Sequence, residues 1–213
     1  MGRQGLGIDI NSLAWFVSSV KTMPLSQSDN KMLREWASSL AEHKNIIREN
    51  NDFEVEEMKH IPPSLADYIR GLLRSIKILD YPRLERFARC AILRLCQRLI
   101  DGRNSLPLPL KVEEELIVEI DHMLTGLEEF VFACRNSGVL KNQISSRRVL
   151  LQKSTIGVET DITLSDLLKK PHLVFTSPPY PSVHVLYHRW QVAGRRETST
   201  FSLYPLNFHL GFD

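Results

Sequence analysis

Cysteine is scarce in this sequence, and its spacing excludes several kinds of site. The three cysteines among 213 residues, Cys90, Cys96 and Cys134, form no C-x-x-C pair and have no histidine at metal-ligand spacing. The sequence therefore offers no metal site, and such cysteines are typical of reduced thiols in a cytoplasmic protein. The chain also lacks an apolar run of membrane-spanning length and the basic-then-apolar start of a signal peptide. We therefore predict a cytoplasmic protein with no membrane partner.

An excess of one charge sign is missing as well. The 27 Lys and Arg residues nearly balance the 25 Asp and Glu residues, which gives a net charge of +2 at pH 7. Such a balance neither requires nor excludes nucleic acid as a partner. The last third of the chain is its basic part, and there Arg189, Arg195 and Arg196 are candidates for phosphate contacts. A solvated basic surface is the alternative for these three arginines.

The first residues predict a fragment of an α/β unit. Residues 5–11 (GLGIDIN) indicate a turn and a short apolar strand that ends at an acid, Asp9. Residues 12–20 then predict a helix capped by Asn11 or Ser12. In nucleotide-binding α/β units, an acid at the end of a strand binds ribose hydroxyls. The usual glycine-rich loop, about 20 residues before that acid, does not precede Asp9, which is typical of a chain that begins inside a Rossmann-like domain.

The middle of the chain predicts helices, and α/β patterning returns after it. Residues 26–134 carry apolar stripes at helical spacing, which indicate core faces rather than a cofactor site. Residues 148–152 then predict a strand and residues 165–170 a short helix. The apolar run at residues 172–175 (HLVF) predicts a buried strand.

An unusual segment follows this last run. Thr176-Ser177-Pro178-Pro179-Tyr180 combines polar residues, two prolines and an aromatic ring. Prolines fix φ and carry no N–H, so the backbone is stiff and its carbonyls are available as acceptors. A rigid acceptor wall beside an aromatic face suits a flat, amine-bearing ring such as an extruded nucleobase. A strand end followed by an ordinary turn is the alternative.

These residues resemble the catalytic signature of amino-group DNA methyltransferases. The variant with Ser rather than Asp before the prolines is typical of members that methylate the N4 amine of cytosine. Residues 181–198 (PSVHVLYHRWQVAGRRET) are similar to one recurring subfamily of bacterial site-specific DNA methylases. Residues 7–14 (GIDINSLA) are similar to the second strand of those enzymes, whose acid binds the ribose of S-adenosylmethionine.

The resemblance implies an α/β fold class, with a partial Rossmann-like methyltransferase sheet and a large all-helical insertion. Residues 1–25 would form a partial cofactor-binding α/β segment, and residues 141–213 the catalytic α/β segment with the TSPPY motif. Residues 26–140 would be the helical insertion and a candidate target-recognition region.

The resemblance also implies a reaction. Double-stranded DNA would be the substrate of a restriction-modification type methyltransferase, and a cytosine would be flipped from it. The Ser177 hydroxyl and the Pro178 carbonyl would accept hydrogen bonds from the cytosine amine, in a wall stiffened by Pro179, while Tyr180 would stack on the ring. Asp9 and Asn11 would bind S-adenosylmethionine, and the amine would take the methyl group directly.

The sequence departs from the family pattern in two ways, and these departures leave other functions open. No F-x-G-x-G-like loop for the methionine part of the cofactor is present, and the chain ends soon after Tyr180. We therefore expect either a truncated gene product or a piece of a longer natural chain that supplies the missing parts, and poor or no cofactor binding by this piece alone. Methylation of the N6 amine of adenine is one alternative function. A degenerate remnant that binds DNA without turnover is the other.

Overall fold

The computed structural model describes residues 3–40, 58–161, 164, 172–176, 189–194 and 196–199. These residues form a mixed α/β structure that is mostly helical and contains two small sheets. The chain divides into two compact units. The first unit comprises Met1–Pro24 and Val131–Tyr187, and the second comprises Leu25–Phe130 and His188–Asp213. The coarse α/β prediction is therefore confirmed, while the three predicted segments and their roles stay predictions.

The described residues contain helices in the first and middle parts of the chain and strands near its two ends. In chain order they are β1 (Gly5–Asp9), α1 (Ser12–Lys21), α2 (Gln27–Ser39), α3 (Pro63–Ser75), α4 (Pro82–Ile100), α5 (Pro109–Asn136), α6 (Lys141–Ile144), β2 (Arg148–Gln152), β3 (Arg189–Val192) and β4 (Arg196–Ser199). Short 3₁₀ segments lie at Ile76–Leu79, Ser145–Arg147 and Val158–Thr160. None of the described helices is long and apolar enough to cross a membrane.

Local signals in the sequence explain where the long helices begin. Pro63, Pro82 and Pro109 are the first residues of α3, α4 and α5, because proline has a helical φ and its missing N–H would have no partner in the first turn. Helix α2 begins with a capping box instead. The Ser26 hydroxyl accepts from the Asp29 N–H at 3.1 Å, and the Asp29 carboxylate accepts from the Ser26 N–H at 2.9 Å.

The second unit, called the helical unit below, has a core that consists of the apolar stripes predicted from the sequence. The buried side chains include Leu33, Trp36, Ile69, Leu72, Leu84, Phe87, Ala91, Leu95, Leu116 and Ile120. The Trp36 indole N–H donates to the Ser75 carbonyl at 3.2 Å, so its polar atom is satisfied inside the core. The interpretation of these stripes as core faces is confirmed.

A charge cluster joins α4 to α5 inside this unit. The Glu119 carboxylate, only 5% exposed, lies 2.9 Å from the Arg94 guanidinium and 3.4 Å from that of Arg98. Arg98 also contacts Glu115 at 2.9 Å. A buried carboxylate needs such partners, because removing one of them would leave its charge uncompensated.

Candidate functional site

The first candidate site lies at the carboxyl end of a parallel strand pair. Strand β1 pairs with β2 in parallel, and the register runs from Gly5 opposite Arg148 to Asp9 opposite Gln152. Because parallel strands end at the same edge, Asp9 and the residues after Gln152 lie at one edge of this sheet. Ligands of open α/β sheets bind outside the carboxyl ends of strands.

Asp9 is joined to the start of α1 by a turn. One carboxylate oxygen of Asp9 accepts from the Asn11 N–H at 2.8 Å, and the Asn11 side-chain oxygen accepts from the Leu13 N–H at 2.9 Å. Asn11 is therefore the helix cap, as one of the two predictions for this position had it. Asp9 is exposed, and no described residue donates to its other carboxylate oxygen. That oxygen is available for a hydroxyl group of a ligand.

Helix α1 is attached to strand β2 by two long-range hydrogen bonds. The Trp15 indole N–H donates to the Leu150 carbonyl at 3.2 Å, and the Arg148 guanidinium donates to the Ser19 carbonyl at 2.7 Å. Arg148 also contacts the Thr22 hydroxyl. The Trp15 bond lies in the first half of α1 and the Arg148 bonds lie at its end, so both halves of the helix are held against the sheet.

Gly7 lies opposite Leu150 in the strand pair, and a side chain at this position would displace the leucine. A Cβ atom on Gly7 would lie 2.8 Å from the Cδ2 atom of Leu150, well inside the usual contact distance of about 3.5–4.0 Å. At Gly5, in the same strand, a Cβ atom would meet nothing within 4 Å. The glycine of the GIDIN segment is therefore explained by packing against β2.

An ion pair follows β2 at the same edge. Lys153, the residue after Gln152, pairs with Asp161, whose side chain is 19% exposed. The connection turns at Gly157, which has a φ of 82°, and the 3₁₀ segment Val158–Thr160 leads to Asp161. Asp161 is therefore a half-buried, paired acid and not an exposed residue of a turn.

The TSPPY segment lies mostly outside the described residues. Ser177, Pro178, Pro179 and Tyr180, the predicted catalytic residues, are among those not described, and Thr176 is exposed. Their predicted roles stay predictions.

The prediction of a buried strand at residues 172–175 is wrong. His172 lies in a bend, the next three residues have no regular structure, and Leu173, Val174 and Phe175 are 80%, 75% and 93% exposed. A four-residue apolar run is buried only where neighbouring strands and helices cover it. In the described part of the first unit the sheet consists of β1 and β2, and neither pairs with this run.

The second candidate site is a hairpin that the sequence analysis missed. Strands β3 and β4 pair antiparallel, with Trp190 opposite Thr198 and Val192 opposite Arg196. Trp190, Val192 and Thr198 are buried, so one face of the hairpin packs into the helical unit. The sequence signal that was available is the alternation of polar and apolar residues in Arg189–Val192, followed by Gly194, whose φ is 98°.

Two of the three predicted DNA-binding arginines, Arg189 and Arg196, belong to this hairpin. Arg189 is exposed and pairs with Glu197 at 2.9 Å, so much of its charge is compensated within the hairpin. Arg196 is exposed and forms no ion pair with a described carboxylate. Arg195 is not among the described residues. The structure thus brings Arg189 and Arg196 onto one hairpin in the second unit, whereas Asp9 and Asn11 belong to the first.

Within the described ranges, no group of three or more His, Cys, Asp or Glu side chains has a metal-binding arrangement. Comparison of the chain with protein-family models, with curated proteins and with solved structures found no match. The candidate sites must therefore be interpreted from their own geometry and chemistry.

Proposed function

We propose that this chain belongs to a site-specific DNA methyltransferase that transfers a methyl group from S-adenosylmethionine to the N4 amine of cytosine, in a cytoplasmic restriction-modification system. The observation that carries the cofactor half of the proposal is the Asp9 turn. An exposed carboxylate ends a parallel strand, one of its oxygens is held by the Asn11 N–H at 2.8 Å, and a capped helix follows at once.

The residues around Asp9 fit the nucleoside end of the cofactor. The second carboxylate oxygen can accept hydrogen bonds from ribose hydroxyls, as acids in this position do in nucleotide-binding folds. Ile10 is 76% exposed beside it and offers an apolar surface to a flat ring. When bound, S-adenosylmethionine supplies an activated methyl group.

The protein's part in the reaction would be to hold the base. The Ser177 hydroxyl and the Pro178 carbonyl accept hydrogen bonds from the amine, which orients the nitrogen lone pair, and Tyr180 stacks on the ring. Pro179 keeps the backbone stiff, so little order has to be gained when the base enters. The amine nitrogen would form the new bond to the methyl carbon as the carbon–sulfur bond of the sulfonium breaks, which would leave a neutral thioether, and the nitrogen would then lose a proton to solvent. Positioning of this kind lowers barriers by about 7–11 kcal/mol.

Cofactor binding tests the first half of the proposal. Because the loop for the methionine part of the cofactor is missing, we expect titration calorimetry to detect S-adenosylmethionine binding by this chain that is weaker than micromolar. Asp9→Asn should weaken it further, about tenfold or more, because a hydrogen bond to a charged group contributes about 1.5–3 kcal/mol. Asp67→Asn is the matched control. Asp67 lies on α3, is 71% exposed and pairs only locally with Arg70 at 2.7 Å, so affinity should not change. Equal affinities of the wild-type chain and Asp9→Asn would contradict the proposed site.

Methyl transfer tests the second half. Incubation with duplex DNA and labelled S-adenosylmethionine, at a cofactor concentration high enough to overcome the missing loop, followed by nucleoside analysis, should give N4-methylcytosine, and Tyr180→Ala should abolish the product. N6-methyladenine would instead establish the alternative substrate. DNA binding without either product would favour the non-catalytic remnant, for which the basic hairpin β3–β4 is the supporting observation.

A further inference from the structure

A pocket next to the hairpin in the helical unit is unused by the function proposed above. It is open to solvent and has a volume of about 260 Å³. Its lining residues come from the end of α4 and the loop after it: Arg98, Leu99, Arg103, Ser105, Leu106 and Pro107. Two arginines and a hydroxyl beside three apolar side chains suit a phosphodiester flanked by its sugars better than a purely apolar ligand.

The loop that carries Arg103 is fixed to the hairpin like a third strand. The Gly102 N–H donates to the Gln191 carbonyl at 2.7 Å, and the Ala193 N–H donates to the Arg103 carbonyl at 3.0 Å. The Gln191 N–H donates to the Asp101 carboxylate at 3.0 Å. Arg103 therefore has a defined backbone position although its side chain is exposed.

This arrangement puts one arginine on each side of a single hairpin residue. Val192 is paired with Arg196 in strand β4 and bridged to Arg103 on its other side. Two strand spacings separate the two backbones, or about 10 Å. Long side chains at that separation can contact different phosphates of one nucleic-acid backbone.

The arginines near the pocket differ in how far carboxylates compensate their charges. Arg98 is shared between Glu115 and Glu119, at 2.9 and 3.4 Å. Arg103 and Arg196 form no ion pair with any carboxylate in the described part of the chain. The Arg103 Nε atom donates to the Arg98 carbonyl at 3.2 Å, which orients the guanidinium and leaves its terminal N–H groups for a ligand.

We infer that the pocket at Arg103 binds a backbone phosphate of DNA, and that Arg103 and Arg196, on the two sides of Val192, together guide the duplex across the hairpin. This inference rests on the proposed function, because it takes DNA as the partner. It adds a specific phosphate contact from the loop between α4 and α5, within the segment for which the resemblance implies target recognition but names no contact residue. Ser105 supplies a second donor to the same phosphate.

Salt-dependent DNA binding by the full chain tests the inference. Fluorescence anisotropy of a labelled duplex is measured over a series of NaCl concentrations for wild type, Arg103→Gln and Arg103→Lys. We expect Arg103→Gln to weaken binding about tenfold on any sequence and to reduce the slope of log K against log salt by about 0.9. Arg103→Lys keeps the charge and should retain the slope.

A remote charge removal provides the matched control. Lys31 is 75% exposed on α2 and lies two residues after Asp29. Because Asp29 contacts Arg83, this part of α2 lies near the start of α4, whereas the pocket is at the end of α4. Arg98 lies fifteen residues further along that helix, which corresponds to about 22 Å. Lys31→Gln should therefore leave the slope unchanged.

Folding of each variant is checked by circular dichroism. If Arg103→Gln does not fold, Arg196→Gln in the hairpin should show the same loss of slope, and a wild-type slope in that variant overturns the inference. If wild type binds DNA and Arg103→Gln binds it equally well, only this inference is overturned and the proposed function stands. Absence of any wild-type binding at low salt overturns the DNA half of the proposed function as well. Stronger and equally Arg103-dependent binding of duplex RNA would overturn DNA as the ligand.

Discussion

The close approach of Gly7 to Leu150 gives the sharpest test of the β1–β2 sheet. In Gly7→Ala the new Cβ atom would lie 2.8 Å from Leu150 Cδ2, so the leucine must withdraw by about 1 Å. Overpacking of this kind costs about 1–3 kcal/mol, and alanine recovers about 0.5–1 kcal/mol relative to glycine within a strand. Because the contacted atom is the end of a flexible, half-buried side chain, we expect a net loss of at most about 1 kcal/mol, or about 2–4 °C in Tm for a chain of this size.

The same substitution should change sign when the leucine is shortened. In a Leu150→Ala background the clash is gone, and Gly7→Ala should stabilise by about 0.5–1 kcal/mol. Gly5→Ala is the control, because a Cβ atom there meets nothing within 4 Å and should stabilise in both backgrounds. Hydrogen exchange of peptides that cover β1 and β2 measures the local opening free energy directly. Additive effects of Gly7→Ala and Leu150→Ala would refute the close approach.

Three further predictions concern individual side chains. Asn11→Ala should cost about 0.5–2 kcal/mol by loss of the α1 cap, whereas Asn11→Asp should not, as judged by thermal melting. Burial raises the pKa of Asp29, but hydrogen bonds from Arg83 and Ser26 outweigh it and leave the pKa below its ordinary value. Because the folded-state pKa is lowered, the stabilisation is complete above about pH 4 and is lost as the pH falls through the folded value. In urea titrations, the free energies of unfolding of wild type and Arg83→Met should therefore converge in acid. A difference that stays constant with pH would contradict this. Burial raises the pKa of Cys96 to about 12, so at pH 8 a maleimide should label half-buried Cys134 and reach Cys96 only after unfolding, as read by mass spectrometry.

Local chemistry allowed much of the fold to be predicted. Pro63, Pro82 and Pro109 mark helix starts wherever they stand in the chain, because their φ and missing N–H act within one turn. The acid at the end of β1 and the cap at Asn11 are likewise local features. Apolar stripes at helical spacing identified the core faces without any knowledge of their partners.

Features that depend on distant partners could not be predicted in the same way. The apolar run at residues 172–175 has the composition of a buried strand, but burial depends on neighbours that a short run does not specify. The bridge from Arg103 to Val192 joins positions far apart in sequence, and neither carries a signal for the other. The ion pair of Lys153 with Asp161 is closer, yet an acid in a polar loop does not by itself indicate burial.

The parallel pairing of β1 with β2 has a consequence for synthesis on the ribosome. Each pair in the register joins residues about 140 positions apart, and closing a loop of that length costs about 4 kcal/mol in chain entropy. At about 5–20 residues per second, β1 waits for roughly 7–30 s before its partner has been made. The helices between the two strands are synthesised during that interval. Whatever protects the open edge of β1 from other chains must act during that time.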